Sequence, residues 1–175
     1  DVQFVEGTIL DDDALDAAFD GATSVVHLAA LGSVPRSVAA PLPTHHANAT
    51  GTVMVLEAAR RHGNLHTIVA SSSSVYGSNP ILPKHEELAT RPMSPYAASK
   101  LLTEGATVAW GAAYGLPVLP LRFFNVFGPL QPAGHAYAAV IPSFVHAALR
   151  GEPLTVHGDG TQSRDFTYVG SVVGA

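Results

Sequence analysis

The stretch "HTIVASS", His66 to Ser72, decides the fold. It is apolar in one continuous run, without the in-out alternation of a half-exposed strand, and it closes on serines. That pattern belongs to a strand buried on both faces, as in a parallel sheet covered by helices. Three other stretches share the texture: "VQFV" (Val2–Val5), "SVVHLAA" (Ser24–Ala30) and "PVLPLRFF" (Pro117–Phe124). Each is predicted to be a strand of the same sheet.

Helical patterns separate these runs. "DDDALDAAFDG" offers an aspartate cap, Ala14, Leu15, Ala18 and Phe19 on one face, and Gly21 as terminator. "ATGTVMVLEAARRHG" (Ala49–Gly63) ends in a basic turn and a glycine. "SPYAASKLLTEGATVAWGAAYG" begins with Ser94 as N-cap and Pro95 at the first helical position, and stops at Gly115. "VIPSFVHAALRG" sets Ile141, Phe144, Val145, Ala148 and Leu149 on one stripe. A last helix is expected to begin at Ser171. Strands alternating with helices in this way predict a doubly wound α/β fold. After Phe124 the chain turns rich in Pro, Gly and Ala, so a domain transition is placed near Asn125, dividing residues 1–124 from 125–175.

The 175 residues are 47% hydrophobic and 13% charged, enough for a sizeable core. Net charge is -5 with only nine Lys and Arg, which gives no electrostatic reason to bind nucleic acid or an anionic membrane. No apolar run reaches the roughly 18 residues of a membrane span. Without cysteine there is neither a disulfide framework nor thiolate chemistry. The nine histidines show no metal-ligand spacing, so no metal is expected. Both ends read as cut: "DVQFVEGTI" starts abruptly and "FTYVGSVVGA" stops as a helix begins, so a piece of a longer enzyme is expected.

Chemistry is concentrated in "SSSSVYG" (Ser71–Gly77) and "SPYAASK" (Ser94–Lys100). Tyr96 and Lys100 are spaced i, i+4 and share a helix face. An ammonium near a phenol favours the phenolate, which would draw the tyrosine pKa from about 10 towards neutrality and make it a base for a sugar or alcohol hydroxyl. Read alone, such a pair is more often a surface tyrosine and lysine on an amphipathic helix. Ser71–Ser74 end a buried strand, where doubly wound sheets bind ligands. Tyr96 follows Ser72 by 24 residues, one strand-to-helix step, which places both at one sheet edge.

In these motifs the chain resembles the extended short-chain dehydrogenase/reductases, specifically the NAD-dependent sugar-nucleotide epimerase/dehydratase family. The resemblance runs through "FVEGTI", "VVHLAA", "NATGT", "ASSSSVYG", "SPYAASK", "LRFFNVFGP" and "GDGTQSRDFTYV". It implies a Rossmann-type sheet, incomplete because the first βαβ with its Gly-rich turn is missing, followed by the start of a smaller substrate-binding domain. It implies Ser72, Tyr96 and Lys100 as catalytic residues. NAD would meet Ile9, Leu28, Ala29, Ala30, Leu31, Asn48, Tyr96, Lys100 and Phe124. "HLAALGSVPRS" and "AYAAVIP" look most like 4-epimerases of UDP-N-acetylglucosamine or its uronate. By that likeness Gly32, Ser33 and Ser73 would touch the sugar. Asn125 and the backbone at Ala139 and Val140 would hold the UDP moiety, and Arg164 would pair with the diphosphate. Taken without the resemblance, Arg164 could instead pair with Asp159 or Asp165. A homodimer in the cytoplasm is the family's implied state.

Two departures stand out. Thr8 occupies the place where the family usually has an aspartate facing the adenine, and the Gly-rich turn that cradles the pyrophosphate is absent. The residue that separates NAD from NADP lies in the absent part. Among functions, a 4,6-dehydratase would carry an Asp-Glu pair where Ser73 and Ser74 stand. A non-catalytic NAD-binding regulator would tend to lose Tyr96 or Lys100, and both are present. The expectation is therefore a UDP-hexose 4-epimerase working through a transient 4-keto sugar, with an inactive fragment as the reading of this chain alone.

Overall fold

A computed structural model describes residues 2–133, 138–156 and 158–174. The chain forms two compact units, Asp1–Arg122 and Phe123–Ala175. In the first, a three-stranded sheet has the order β1 (Ser24–His27), β2 (His66–Ser72), β3 (Val118–Phe123). Strands β1 and β2 run parallel with Ser24 opposite His66 and His27 opposite Val69. The central strand is the one covered on both faces: Val69 on one and Ala70 on the other are buried, which is what its unbroken apolar run anticipated.

Val2–Val5 is not a strand. It runs irregularly along the surface, with Val2 98% and Phe4 86% exposed. An apolar run becomes a strand only when a neighbour takes its backbone hydrogen bonds, and among the described residues none does.

The helices pack on this sheet. Helix α1 (Asp12–Phe19) is capped by Asp11, whose carboxylate accepts from the Ala14 N–H at 3.1 Å. After β1 come α2 (Val34–Ala39) and α3 (Pro41–His45), each with proline in its first turn. A π-helical turn, His46–Thr50, then joins α3 to α4 (Gly51–Arg61). The joining residues keep helical φ and ψ throughout, so the helix expected from Ala49 begins earlier. Leu56 and Ala59 of α4 form one core with Leu65, Val69 and Leu116. Val55 and Ala58 form a second with Leu15 of α1. Truncating a side chain as enclosed as Leu56 to alanine costs about 2–5 kcal/mol.

Helix α5 (Pro95–Tyr114) starts and stops where local chemistry dictates. The Ser94 hydroxyl accepts from the Ala97 N–H at 3.1 Å, and Gly115 closes the helix at φ 69°. Its packing is unusual. The residues it buries are Ala97, Ser99, Lys100, Thr103 and Thr107, while Leu102 and Val108 are more than half exposed.

The second unit holds β4 (Asn125–Phe127) parallel to β5 (Phe166–Tyr168), with α6 (Val140–Arg150) and α7 (Val169–Val173). Helix α6 ends at Gly151, but no residue of its apolar stripe is buried, and Leu149 is 84% exposed. Ile141, Val145 and Leu149 line an open groove with Phe127 and Tyr168. Among the described residues no helix is long and apolar enough to cross a membrane.

Candidate active site

The carboxyl end of β2 meets the first two turns of α5. Lys100 is 5% exposed, and its Nζ donates to the Ala70 carbonyl at 2.8 Å. Burial lowers its pKa to about 8. Ser72 sits at the strand's last position. Its Oγ accepts from the Ser74 N–H at 3.1 Å and from the Ser74 hydroxyl at 2.9 Å. The Ser72 hydroxyl proton is thus left for Tyr96, and that hydrogen bond pulls the phenol pKa down. Burial acts more strongly in the other direction, so the Tyr96 phenol ends above its ordinary value. This corrects the expectation that Lys100 draws Tyr96 towards neutrality. Sharing a helix face gives nearness, but desolvation weakens both groups' charged forms.

The turn after β1 is held from behind. The Asn48 side chain accepts from the Leu31 N–H at 2.7 Å and donates to the Leu31 carbonyl at 3.1 Å and to Ser99 Oγ at 3.0 Å. Asn48 is 1% exposed, so its amide is fully engaged within the protein and it acts as the support of that turn. The π-helical turn carries it, and its own carbonyl accepts from Thr103 Oγ1 at 2.9 Å and from Thr52 Oγ1 at 2.5 Å. In front, Leu28, Ala29 and Ala30 leave β1 with exposed apolar faces. Gly32 is exposed, and a Cβ there would meet open space. Ser33 sits at φ 94°, a region that favours glycine, and its hydroxyl caps α2 by accepting from the Arg36 N–H. Ile9 packs on the Leu15–Val55–Ala58 core, with its Cδ1 beside Gly51.

Several polar residues here escaped sequence reading. His27 is buried beside Thr52, 3.0 Å from its hydroxyl, and its pKa falls to about 4, first through burial and then through the Lys100 charge. Glu104 lies on the Tyr96–Lys100 stripe one turn further along, so its spacing was a signal. Burial alone would raise its carboxyl, but hydrogen bonds from Arg122 and then Ser71, with the Arg122 charge, hold it below the ordinary carboxylate range. Ser73 opens the 3-10 turn Ser73–Tyr76, which ends at Gly77. Gly77 has φ 48° and lies so close to Arg91 that a Cβ there would come 1.7 Å from the Arg91 carbonyl oxygen.

In the second unit, Asn125 opens β4 and donates to the Asp165 carbonyl at 2.8 Å. Phe124 precedes it, half-buried. Ala139 caps α6, and its carbonyl accepts from the Ser143 hydroxyl at 2.8 Å, with Val140 as the first helical residue. Arg164 is exposed and donates to the Ser163 carbonyl at 2.7 Å. Asp159 instead takes Thr161, through its N–H and hydroxyl. Ala136 and Tyr137 of "AYAAVIP" lie outside the described residues. Among those described, no group of three or more His, Asp or Glu is placed to hold a metal.

The sheet brings Ser72, at the end of β2, beside the Tyr96–Lys100 turns of α5 and an apolar turn braced by Asn48, at the strand ends where doubly wound folds bind ligands. Known proteins agree. The model of the NAD dependent epimerase/dehydratase family matches residues 1–175. A dTDP-glucose 4,6-dehydratase of Streptomyces niveus is 35% identical over 95% of this chain and 48% of its own length. The structure of a UDP-N-acetylglucosamine 4-epimerase from Methanobrevibacter ruminantium M1, in complex with UDP-N-acetylmuramic acid, superposes with a TM-score of 0.92 at 42% identity, covering 97% of this chain and 55% of that one. The UDP-glucuronic acid 4-epimerase of Bacillus cereus, in complex with UDP-glucuronic acid and NAD, gives 0.86 at 34% identity over 98% and 53%. The chain belongs to the NAD dependent epimerase/dehydratase family. It spans about half the length of the curated relatives it matches. The residues present fit the family's cofactor, since exposed apolar faces at Leu28, Ala29 and Ala30 lie at the end of β1.

Proposed function

We propose that the full-length protein is an NAD-dependent UDP-hexose 4-epimerase acting on N-acetylated UDP-hexoses or their uronates. The observation that carries the reading is the convergence of Ser72, Tyr96 and Lys100 on one strand end, with Ser73 and Ser74 where a dehydratase would place an acid pair. Tyr96 takes the proton of the sugar's 4-hydroxyl, and Ser72 donates a hydrogen bond that steadies the phenolate. Lys100 holds the cofactor ribose. Bound NAD supplies the hydride acceptor and donor that the inversion at C4 requires. Gly32, Ser33 and Ser73 meet the sugar. Asn125, Ala139, Val140 and Arg164 serve the UDP end, so residues 1–124 carry the chemistry and 125–175 the nucleotide grip. A second copy is expected to cover the outer faces of α4 and α5, where Val53, Leu101 and Leu102 line an apolar groove.

The test is turnover of the full-length protein with UDP-N-acetylglucosamine, its uronate and UDP-glucose, read as kcat/KM for formation of the 4-epimer. Sites that hydrogen-bond a substrate group discriminate strongly against analogues lacking it. A clear preference for UDP-glucose would overturn the substrate assignment. The dehydratase relative supports a second reading, elimination of water from a dTDP- or UDP-hexose. A 4-keto-6-deoxy product in place of the epimer would establish it.

A further inference from the structure

The segment Ser71–Tyr76, which carries Ser72 and Ser73, is gripped at both ends by one ion pair. At its start, the buried Ser71 hydroxyl donates to Glu104 Oε2 at 2.7 Å. The same carboxylate is forked by Arg122: Nη2 donates to Oε1 at 2.6 Å and Nε to Oε2 at 3.0 Å. At the segment's end, the Arg122 guanidinium lies 4.8 Å from the centre of the Tyr76 ring. Its Nη1 also donates to the Glu86 carbonyl at 3.1 Å, which ties in the loop that follows. The pair is 14–16% exposed at its side chains, far from the solvated pairs on α1 and α4. Planar, two-pronged contacts of this kind fix direction as well as distance.

The location gives the pair its use. Glu104 stands one helical turn beyond Lys100 and two beyond Tyr96, so the bond to Ser71 and the Lys100–Ala70 bond lock adjacent β2 residues to one stripe of α5. Ser72 is the next residue along the strand.

We propose that Glu104 is a positioning residue for the reaction: clamped by Arg122, it holds Ser71 and so sets the strand end at which Ser72 meets Tyr96. Arg122 is its partner in the clamp. This rests on the assignment of Ser72 and Tyr96 to the proton transfer proposed above.

The experiment measures kcat, KM and melting temperature on full-length protein carrying Ser71→Ala, Glu104→Gln, Ser72→Ala, or Ser71→Ala with Ser72→Ala, using whichever UDP-sugar turns over fastest. Ser71→Ala leaves the Glu104–Arg122 fork intact, so it reports on the latch even where Glu104→Gln folds poorly. Ser71→Ala is expected to lower kcat by about tenfold with KM little changed. In the Ser72→Ala background the further loss should vanish, since residues acting through one another are non-additive. Normal kcat in Ser71→Ala with only a lower melting temperature would overturn the proposal. So would an equal loss from Ser71→Ala in both backgrounds. Near-normal turnover in Ser72→Ala alone would instead sink the proton-transfer assignment, and the positioning role with it.

Discussion

The Lys100 amine donates to the Ala70 carbonyl at 2.8 Å, which fastens α5 to β2 two residues short of Ser72. Burial holds this amine at a pKa of about 8 against 10.5 for a free lysine. Between those values the folded chain has released a proton that the unfolded chain retains. Stability therefore rises with pH across that window, by about 3 kcal/mol in full. Urea unfolding between pH 8 and 10, below the ordinary tyrosine range, should show the rise in wild type and not in Lys100→Met. Parallel slopes in both would mean the amine is not desolvated as its surroundings require.

Tyr96→Phe removes the proposed base and leaves its ring in place. Turnover of the full-length enzyme should fall by about 10²–10⁴-fold, the usual contribution of a general base. UDP-sugar binding, measured by calorimetry, should be nearly unchanged. A phenylalanine variant with near-normal turnover would hand the proton to another residue.

His27 is neutral when folded down to about pH 4, whereas a free histidine is charged below 6.5. Unfolding on acidification is therefore helped by proton uptake, and stability should drop by up to about 3 kcal/mol as pH falls from 6.5 to 4. Glu104, held below the ordinary carboxylate range, adds its own loss at still lower pH. A His27→Gln variant should lack the first drop and keep the second. If both proteins lose stability equally between pH 6.5 and 4, another group is responsible.

Gly77→Ala tests the turn behind Ser73. A Cβ would drive into the backbone of Arg91, which no side-chain rotation relieves, at a φ of 48° that strains any other residue. The expected cost is about 2–5 kcal/mol. A melting temperature within a degree or two of wild type would show that the Gly77–Arg91 contact yields easily.

What sequence conveyed about this molecule depended on how local the cause was. Ser94, Pro95 and Gly115 set the limits of α5 through contacts within a turn of themselves, and the helix lies between them as read. The run at His66–Ser72 announced a strand covered on both faces, and Val69 is sealed. Val2–Val5 has the same composition, but a strand is a relation between two chain segments and composition names only one. The π-helical turn at His46–Thr50 follows from packing of Asn48 against Leu31 and Ser99, residues 17 and 51 positions away. The Tyr96–Lys100 pair was legible as a neighbourhood. The direction of its pKa shifts was not, because depth of burial is a property of the assembled fold. Glu104 was within reach of the same spacing argument, yet its partner Arg122 sits on a different element, β3.

Helix α5 turns hydroxyls and an amine inward and leucine and valine outward. Anyone re-engineering the protein by the common recipe of greasier interiors and wetter exteriors would edit this helix in the wrong direction twice. Thr103→Val would strip one of the two hydroxyl donors from the Asn48 carbonyl, and Leu102→Lys would place charge in the groove proposed above for a second copy. Automated stabilisation of this scaffold should leave α5 out of its palette and spend its substitutions on α1 and α4.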